Sequence, residues 1–436
     1  MNLYLGIDFG TTGARSTVID SQGTIHCETE YSFANNGQQP PELPSVWQNA
    51  LWDSIEQIPP TIRNQVRAIA LDGTSSTVML CNTDGIPVCE PILYNDPRGA
   101  AVTEKLRAIA PANHTVLSAT SSLTKLLWWQ EGGHGGTAPT VFLHQADWLA
   151  FLLHGKLGIS DYHNALKLGF DVDTLCYPNW LIEGIAGAAT PELPQVVAPG
   201  TPLGEVRAQV GDRFGFPRDC MVCAGTTDSI AAFLASGVNL PGEAVTSLGS
   251  TLAVKLLSHT RVDDSRYGIY SHKLGDLWLV GGASNTGGAV LRHFFTDAEL
   301  ANYSTQIDPA QESLLDYYPL LKKGDRFPIN DPNLPPRLEP RPADSVEFLQ
   351  GLLESIARIE ARGYQLLQEL GATALTKVYT AGGGAKNSVW SAIRKRYLKV
   401  PVETPIHTAA AYGVALLAMR GAMGIYSLSQ IDEVQV

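Results

Sequence analysis

The sequence lacks several features that would place it in a simple class. It has no run of 18 or more apolar residues among its 436 positions, which argues against a transmembrane helix. Lysine and arginine total 31 against 43 aspartates and glutamates, and the net charge of −12 argues against sequence-independent nucleic-acid binding. This acidic balance still permits a phosphate site, because backbone N–H groups can bind phosphate without net positive charge.

Cysteine is also scarce, with six residues scattered along a long chain. This pattern argues against a disulfide framework and favours a reducing cytoplasm. Cys220 and Cys223 form a CxxC pair inside an apolar run, where we expect two buried strand cysteines rather than a metal site. The N-terminus has no basic segment, so we expect no signal or transit peptide. We therefore predict a cytoplasmic protein, monomeric or homodimeric, that binds neither membranes nor nucleic acid.

Familiar motifs of several enzyme classes are missing as well. The sequence has no GxxxxGK[ST] motif and no GxGxxG motif at the start of a helix. The most specific motifs of P-loop nucleotide hydrolases and dinucleotide dehydrogenases are therefore absent, which argues against both classes. HExxH and GxSxG are absent too, which leaves zinc peptidases and α/β-hydrolases unsupported.

What the sequence does contain is an α/β pattern, in which short apolar runs end in glycine turns and amphipathic segments follow. A turn-rich stretch at 236–242 predicts a boundary between two domains, 1–237 and 238–436. The last helix, predicted over 407–419, could pack back on the first domain. Six prolines between 325 and 342 exclude a regular helix or a central strand there.

A first candidate motif lies at the end of the first strand. Asp8 ends an apolar run, and Gly10 and Gly13 let the backbone turn close to a ligand, while Thr11 and Thr12 add hydroxyl donors. These groups could hold a phosphate, and Asp8 could hold Mg²⁺ through water. A β-hairpin turn that needs glycine and threonine for its dihedral angles explains the motif equally well.

A second motif has the same composition early in the second half. Gly249, Ser250 and Thr251 stand between two apolar strands, as residues 10–14 do in the first half. Two such hairpins, each opening one half, indicate a duplicated α/β unit. Two hairpins of this kind could also bind the phosphates of a nucleotide from two sides.

A third motif places Asp228 after a buried strand and at the predicted start of a helix. Aspartate is a preferred helix N-cap, so a structural role is possible. The carboxyl end of a strand is also where open α/β sheets bind ligands, and the helix dipole favours an ionised carboxylate. Such a carboxylate can accept the proton of a substrate hydroxyl.

A fourth motif is a triple glycine between a strand and a helix. Gly383 and Gly384 would allow a flat ligand to lie against bare backbone, whereas a simple turn would need a single glycine. Asn387 could cap the following helix or bind the ligand, and Trp390 lies one turn further along.

Together, these four motifs resemble those of the FGGY carbohydrate kinases, of the actin, hexokinase and Hsp70 superfamily, over residues 3–425. Residues 122–128 also resemble the family's Ser/Pro-x-x-Lys-x-x-Trp signature. The chain is shorter than typical members between 294 and 346. The resemblance implies a two-domain actin-like (ribonuclease H-like) ATPase fold with a cleft between its halves.

The resemblance also implies ATP and Mg²⁺ as cofactors, with Mg²⁺ near Asp8. Asp228 would be the catalytic base, and the sugar would lie near Asp8, Thr74, Ser75 and Asp228 itself. The implied nucleotide-binding residues are Gly10, Thr11, Thr12, Gly13, Gly249, Ser250, Thr251, Gly383, Gly384, Asn387 and Trp390.

Residues 71–77 decide the predicted substrate. Their Leu-Asp-Gly-Thr-Ser-Ser-Thr sequence is similar to that of the compact D-ribulose kinases of cyanobacteria and plant plastids. We therefore expect phosphorylation of D-ribulose to D-ribulose 5-phosphate, with D-xylulose or glycerol as alternative substrates. A polar turn explains Thr74 and Ser75 equally well. A chaperone-type ATPase and a catalytically silent sugar sensor are weaker alternatives.

Overall fold

The computed structural model describes residues 1–33, 42–133, 138–187 and 190–425. The chain divides into two compact units, each built around its own mixed sheet. The first unit comprises Met1–Ala235 together with the chain from His407 onward, and the second comprises Ser236–Ile406. A sequence segment of about 170 residues is thus inserted into the first unit.

The main sheet of the first unit has the strand order β3-β2-β1-β4-β10-β9, with β11 paired to β4. Strand β1 is buried along its whole length, antiparallel to β2 and parallel to β4. Two small sheets pair β5 with β6 and β7 with β8. The strands are β1 (Leu3–Phe9), β2 (Gly13–Asp20), β3 (Ile25–Ser32), β4 (Val66–Gly73), β5 (Val78–Cys81), β6 (Val141–His144), β7 (Ile159–Asp161), β8 (Gln195–Val197), β9 (Pro202–Glu205), β10 (Met221–Cys223) and β11 (Thr226–Thr227).

The helices of this stretch follow the strands in α/β alternation. They are α1 (Leu43–Glu56), α2 (Pro60–Arg63), α3 (Thr103–Arg107), α4 (Ser122–Gly132), α5 (Gln145–His154), α6 (Tyr162–Ala165), α7 (Asn179–Ile185), α8 (Ala208–Phe214) and α9 (Asp228–Ala235). Short 3₁₀ helices span Pro97–Val102, Thr115–Leu117 and Leu166–Leu168.

The second unit repeats the central strand pattern of the first. Its sheet order is β14-β15-β13-β12-β16-β17, and β12 is antiparallel to β13 and parallel to β16. The strands are β12 (Glu243–Leu248), β13 (Leu252–Ser258), β14 (Tyr270–Leu274), β15 (Leu277–Ser284), β16 (Lys377–Ala381) and β17 (Val402–Glu403). The helices are α10 (Gly288–Phe294), α11 (Asp297–Ser304), α12 (Ser345–Glu369) and α13 (Ser388–Leu398), with 3₁₀ turns at Ser265–Tyr267 and Gly383–Lys386.

The last helix, α14 (Ala410–Met423), packs on the sheet of the first unit so closely that its backbone approaches the backbone of β1. A Cβ atom on Gly6 would lie 2.1 Å from the carbonyl oxygen of Ala411, and one on Gly413 would lie 1.8 Å from that of Ala231. Neither contact leaves room for a side chain, so glycine is required at both positions.

The predicted α/β class with two domains is confirmed. Helix α14 begins at Ala410 rather than 407. The proline-rich segment 325–342 contains no helix or strand, as expected. Cys220 and Cys223 are buried and unpaired. Among the described residues, no helix combines the length and hydropathy needed to cross a bilayer.

Candidate active site

Three carboxylates gather at the carboxyl ends of neighbouring strands in the first unit. Asp8 on β1 is the register partner of Asp72 on β4, and Asp72 is also the register partner of Thr226 on β11. Two residues later, Asp228 begins α9. Because these strands are parallel, their ends meet at one edge of the sheet, which is where α/β folds bind ligands.

Asp72 is the most buried of the three. Its side chain has no solvent exposure and lies beside the Asp8 carboxyl group and the Phe9 N–H. Burial raises the pKa of Asp72 well above its usual range, and the negative charges of Asp8 and Asp228 raise it further. Both effects favour the protonated form of Asp72.

Asp8 is also buried, but less completely. Burial raises the pKa of its carboxyl group, while the neighbouring Asp72 and the Arg15 guanidinium act in the opposite direction. In the described part of the chain, no group of three or more His, Cys, Asp or Glu side chains could hold a metal ion directly. The oxygen atoms of the Asp8 carboxyl group are hard ligands of the kind that Mg²⁺ prefers.

Asp228 is half-buried at the first position of α9, and its Oδ1 atom accepts a hydrogen bond of 2.6 Å from the N–H of Ser229. The positive end of the helix dipole favours the ionised carboxylate. The side chain therefore combines a structural contact with a charge suited to accepting a proton.

The β1–β2 turn leaves its polar groups accessible. The N–H of Gly10 donates to the carbonyl of Gly13, and the side chains of Thr11 and Thr12 are exposed. A Cβ atom on Gly13 would lie 2.3 Å from the Tyr31 carbonyl oxygen, so this glycine is needed for strand packing. Gly10 has no such restriction, since its Cβ would meet nothing closer than 3.7 Å.

The turn that follows β4 contains the predicted sugar-binding residues. Thr74 is buried, and its hydroxyl group contacts the Thr77 hydroxyl at 2.5 Å and the Gln145 side-chain oxygen at 3.2 Å. Ser75 is half-buried, and its hydroxyl makes no hydrogen bond within the part of the chain that is described. Of the two candidates, Ser75 therefore has the hydroxyl available to a ligand, whereas Thr74 holds the turn together.

In the second unit, the Gly249–Ser250–Thr251 turn follows β12 and meets the start of α10. The N–H groups of Gly288 and Ala289 donate to the carbonyls of Gly249 and Ser250. Arg292 on α10 donates from Nη2 to the Ser250 hydroxyl at 3.0 Å, and both groups are exposed. A guanidinium therefore lies beside the turn predicted to bind phosphate.

The triple glycine follows β16, the parallel neighbour of β12. Gly382 has a φ of +83°, and a Cβ atom there would lie 2.8 Å from the Leu248 carbonyl oxygen. A Cβ on Gly384 would lie 2.6 Å from the Leu248 side chain. A Cβ on Gly383 would meet nothing within 4 Å. Protein packing thus explains two of the glycines, and the space at Gly383 is open.

The side chains of Asn387 and Trp390 form hydrogen bonds with other residues of the second unit. The Asn387 Oδ1 atom caps α13 by accepting from the N–H of Trp390 at 2.9 Å, and its Nδ2 donates to the Ser304 hydroxyl at 2.8 Å. Trp390 is 2% exposed, and its Nε1 donates to the Leu353 carbonyl. Trp390 therefore packs in the core, and we leave it out of the nucleotide-binding proposal below.

Two residues near these sites were missed by the sequence reasoning. Asp72 had a readable signal, because it follows an apolar strand just as Asp8 does. Arg292 had none, since it is 42 positions from Ser250 and only the fold brings the two together.

Comparison with known proteins identifies the family. Residues 3–235 match the N-terminal domain of the FGGY family of carbohydrate kinases, and residues 244–422 match the C-terminal domain of the same family. The chain belongs to the FGGY family. Its resemblance to that family, seen first in four short motifs, is thereby confirmed.

Relatives of this FGGY protein differ in their named substrates. A xylulose kinase of Staphylococcus xylosus is 21% identical over 99% of this chain and 94% of its own length. A solved structure from Brucella ovis, described as a xyloylose kinase, superimposes with a TM-score of 0.85 at 22% identity and covers 99% of this chain and 97% of its own. Plasmodium falciparum glycerol kinase with ADP gives 0.81 at 16% identity, over 100% and 92%. The narrower likeness to D-ribulose kinases stays a prediction.

Proposed function

We propose that this carbohydrate kinase transfers the γ-phosphoryl group of ATP to the terminal hydroxyl of a ketopentose, with D-ribulose as the preferred substrate. The observation that carries the proposal is the position of Asp228, an accessible carboxylate at a helix start beside the strand ends that carry Asp8 and Asp72. Phosphoryl transfer requires mainly positioning and electrostatic stabilisation from the protein, and this edge supplies a base next to buried polar groups.

In this proposal, Asp228 accepts the proton of the sugar hydroxyl as its oxygen attacks the γ-phosphorus. The positive end of a helix dipole favours the ionised form of a carboxylate, which can receive that proton. Asp8 would hold Mg²⁺ through water, and its oxygen atoms are the hard ligands that this ion prefers. When bound, Mg²⁺ neutralises negative charge on the transferred phosphoryl group.

The nucleotide would bind to the second unit, where Ser250 and Arg292 offer exposed donors to its phosphates. In the first unit, the turn with Gly10, Thr11 and Thr12 has exposed donors of the kind that bind phosphate. The open space at Gly383 suits a flat adenosine against the backbone. Asn387 would act there as a helix cap that fixes the end of this turn.

The sugar would bind at the turn after β4. The free hydroxyl of Ser75 can both donate to and accept from a sugar hydroxyl, and its small side chain leaves room for a linear ketose. D-Xylulose is the second candidate, because the relatives described above include xylulose kinases.

The test is an ATP-dependent assay over D-ribulose, D-xylulose, L-ribulose, ribitol and glycerol. We expect the highest kcat/KM for D-ribulose, since a site that bonds hydroxyl groups discriminates strongly against analogues that misplace one. A tenfold preference for D-xylulose or glycerol would contradict the D-ribulose proposal. Failure to phosphorylate any member of the panel would contradict the ketopentose proposal as a whole.

A further inference from the structure

A buried lysine lies behind the turn that carries Ser75. Lys125 is in the middle of α4, and its side chain has no solvent exposure. Its Nζ atom donates one hydrogen bond to the Ser76 carbonyl and another to the Leu93 carbonyl, both at 2.7 Å. No carboxylate lies within ion-pair distance of this ammonium among the described residues. Lys125 is the lysine of the family signature found in the sequence.

The two carbonyls belong to two neighbouring segments, one of which carries Ser75, the proposed sugar-binding residue. The first is the turn 74–77, and the second is the segment that runs from Ile92 to Tyr94. The segments also contact each other, because the N–H of Tyr94 donates to the Thr77 hydroxyl and the backbones of Val78 and Ile92 exchange two hydrogen bonds. Lys125 therefore bonds both segments from the side of α4.

The turn needs such support at Ser76. This residue has a φ of +66°, which is costly for a residue with a side chain, and its hydroxyl is buried without a partner. Its carbonyl is one of the two that accept from Lys125. Hydrogen bonds from a charged donor are stronger than those between neutral groups, so the ammonium stabilises an otherwise unfavourable turn conformation.

We propose that Lys125 is a positioning residue for the sugar: by holding the carbonyls of Ser76 and Leu93, it fixes the turn so that the Ser75 hydroxyl faces the substrate. This role rests on the proposed function. A methionine of similar length would fill the same space without the cost of burying a charge. The lysine is therefore explained by its two bonds to the turn rather than by packing.

The charge state of Lys125 supports a measurable signature. Burial lowers the pKa of its ammonium to about 7; Asp96 opposes this shift, whereas Lys167 and Arg98 add to it. Above that pH the amine is neutral and its bonds to the two carbonyls are weaker. Asp161, whose pKa burial raises to about 7, titrates in the same range, so a control is needed that changes Lys125 alone.

The experiment compares Lys125→Met and Lys125→Arg with wild type, with Lys105→Met as the control. Lys105 is an exposed lysine paired with Glu131 at the end of α4. We expect Lys125→Met to raise the KM for the sugar roughly tenfold or more and to leave the KM for ATP within about twofold. Lys105→Met should change neither. An unchanged sugar KM, or equal rises for both substrates, would overturn the proposal.

The arginine variant decides the matter even if Lys125→Met does not fold. In wild type, the sugar KM should rise as the pH increases through about 7, and the ATP KM should not. Arginine stays protonated, so this rise should disappear in Lys125→Arg. A rise of the same size in the variant would show that another group causes it and would overturn the role. Absence of sugar turnover in wild type would instead contradict the proposed function itself.

Discussion

Asp8 and Asp72 stand directly opposite each other on two parallel strands, and the carboxyl group of Asp72 is fully buried beside that of Asp8. A charge buried in this way is unfavourable, and two adjacent carboxylates do not both ionise readily. The folded protein therefore favours a protonated Asp72 beside Asp8.

This relationship predicts that Asp72→Asn stabilises the protein at neutral pH. The pKa of Asp72 is raised in the folded state, so stability is lost as the pH rises from about 4 towards the folded pKa. Each unit of that rise corresponds to about 1.4 kcal/mol. Urea unfolding at pH 5 and pH 8 should show a larger gain at pH 8. The exposed Asp84→Asn serves as the control, and an equal gain at both pH values would refute the explanation.

Asp228→Asn should lower kcat by about 100-fold or more while the fold and sugar binding persist. Asparagine preserves the size of the side chain and an oxygen that can accept from the Ser229 N–H, but it cannot take up a proton. Steady-state kinetics with a melting curve separates the two effects. Near-normal turnover would leave Asp228 with a structural role alone.

Gly383→Val should weaken ATP binding more than sugar binding. The new side chain would enter space that is empty of protein atoms, so the melting temperature should hardly change. Gly187→Val is a matched control, because its Cβ would also have open space but in an exposed segment of the first unit. Equal losses of affinity for ATP and sugar would count against a nucleotide site here. By contrast, Gly384→Val should destabilise the fold through its contact with Leu248.

Ser75→Ala should cost the sugar about 0.5–1.5 kcal/mol of binding free energy, the usual value for one neutral hydrogen bond. ATP affinity should be unchanged. Thr74→Val provides the contrast, because it removes bonds within the turn and should lower stability as well as sugar affinity. The measurement is KM for each substrate together with the melting temperature. A Ser75→Ala enzyme with wild-type sugar affinity would argue that the hydroxyl faces water.

Arg292→Met should raise the KM for ATP by about three- to tenfold, because one charge-assisted bond to phosphate is removed from an exposed site. The sugar KM should stay the same. Arg266→Met is the control, since Arg266 is an exposed arginine of the same unit bound to Asp264. If both variants behave alike, Arg292 contributes only to the general charge of the surface.

The sequence was most informative where the same residues both shape the backbone, as in a glycine turn or a helix start, and carry the polar groups of the candidate site. The strand, glycine turn and helix start around Asp8, Gly249 and Asp228 are local features, so their order along the chain predicted both fold and site. Lys125 and Arg292 were beyond such reasoning as partners of the site, because their contacts join segments 32 to 49 positions apart. Trp390 was predicted to bind the nucleotide because it lies near the triple-glycine motif in the sequence. Its burial in the core depends on the fold and could not be predicted from that position.

Strand β3 was also missed, and its burial explains why. Its residues alternate between partial burial and exposure, so they form no continuous apolar run of the kind that marked β1 and β4. Strand β3 pairs with β2 in the antiparallel direction, and this backbone pairing could not be predicted from the composition of β3.

The close packing of α14 against Gly6 has a consequence for biosynthesis. On the ribosome, β1 of the first unit is made before the second unit, and α14 of the first unit is made after it. About 170 residues of the second unit are translated in between, which takes about 10 to 30 seconds at ordinary elongation rates. During that interval the groove over Gly6 stays uncovered in the nascent chain. We expect the second unit to finish folding first, and the packing of α14 to complete the first unit afterwards.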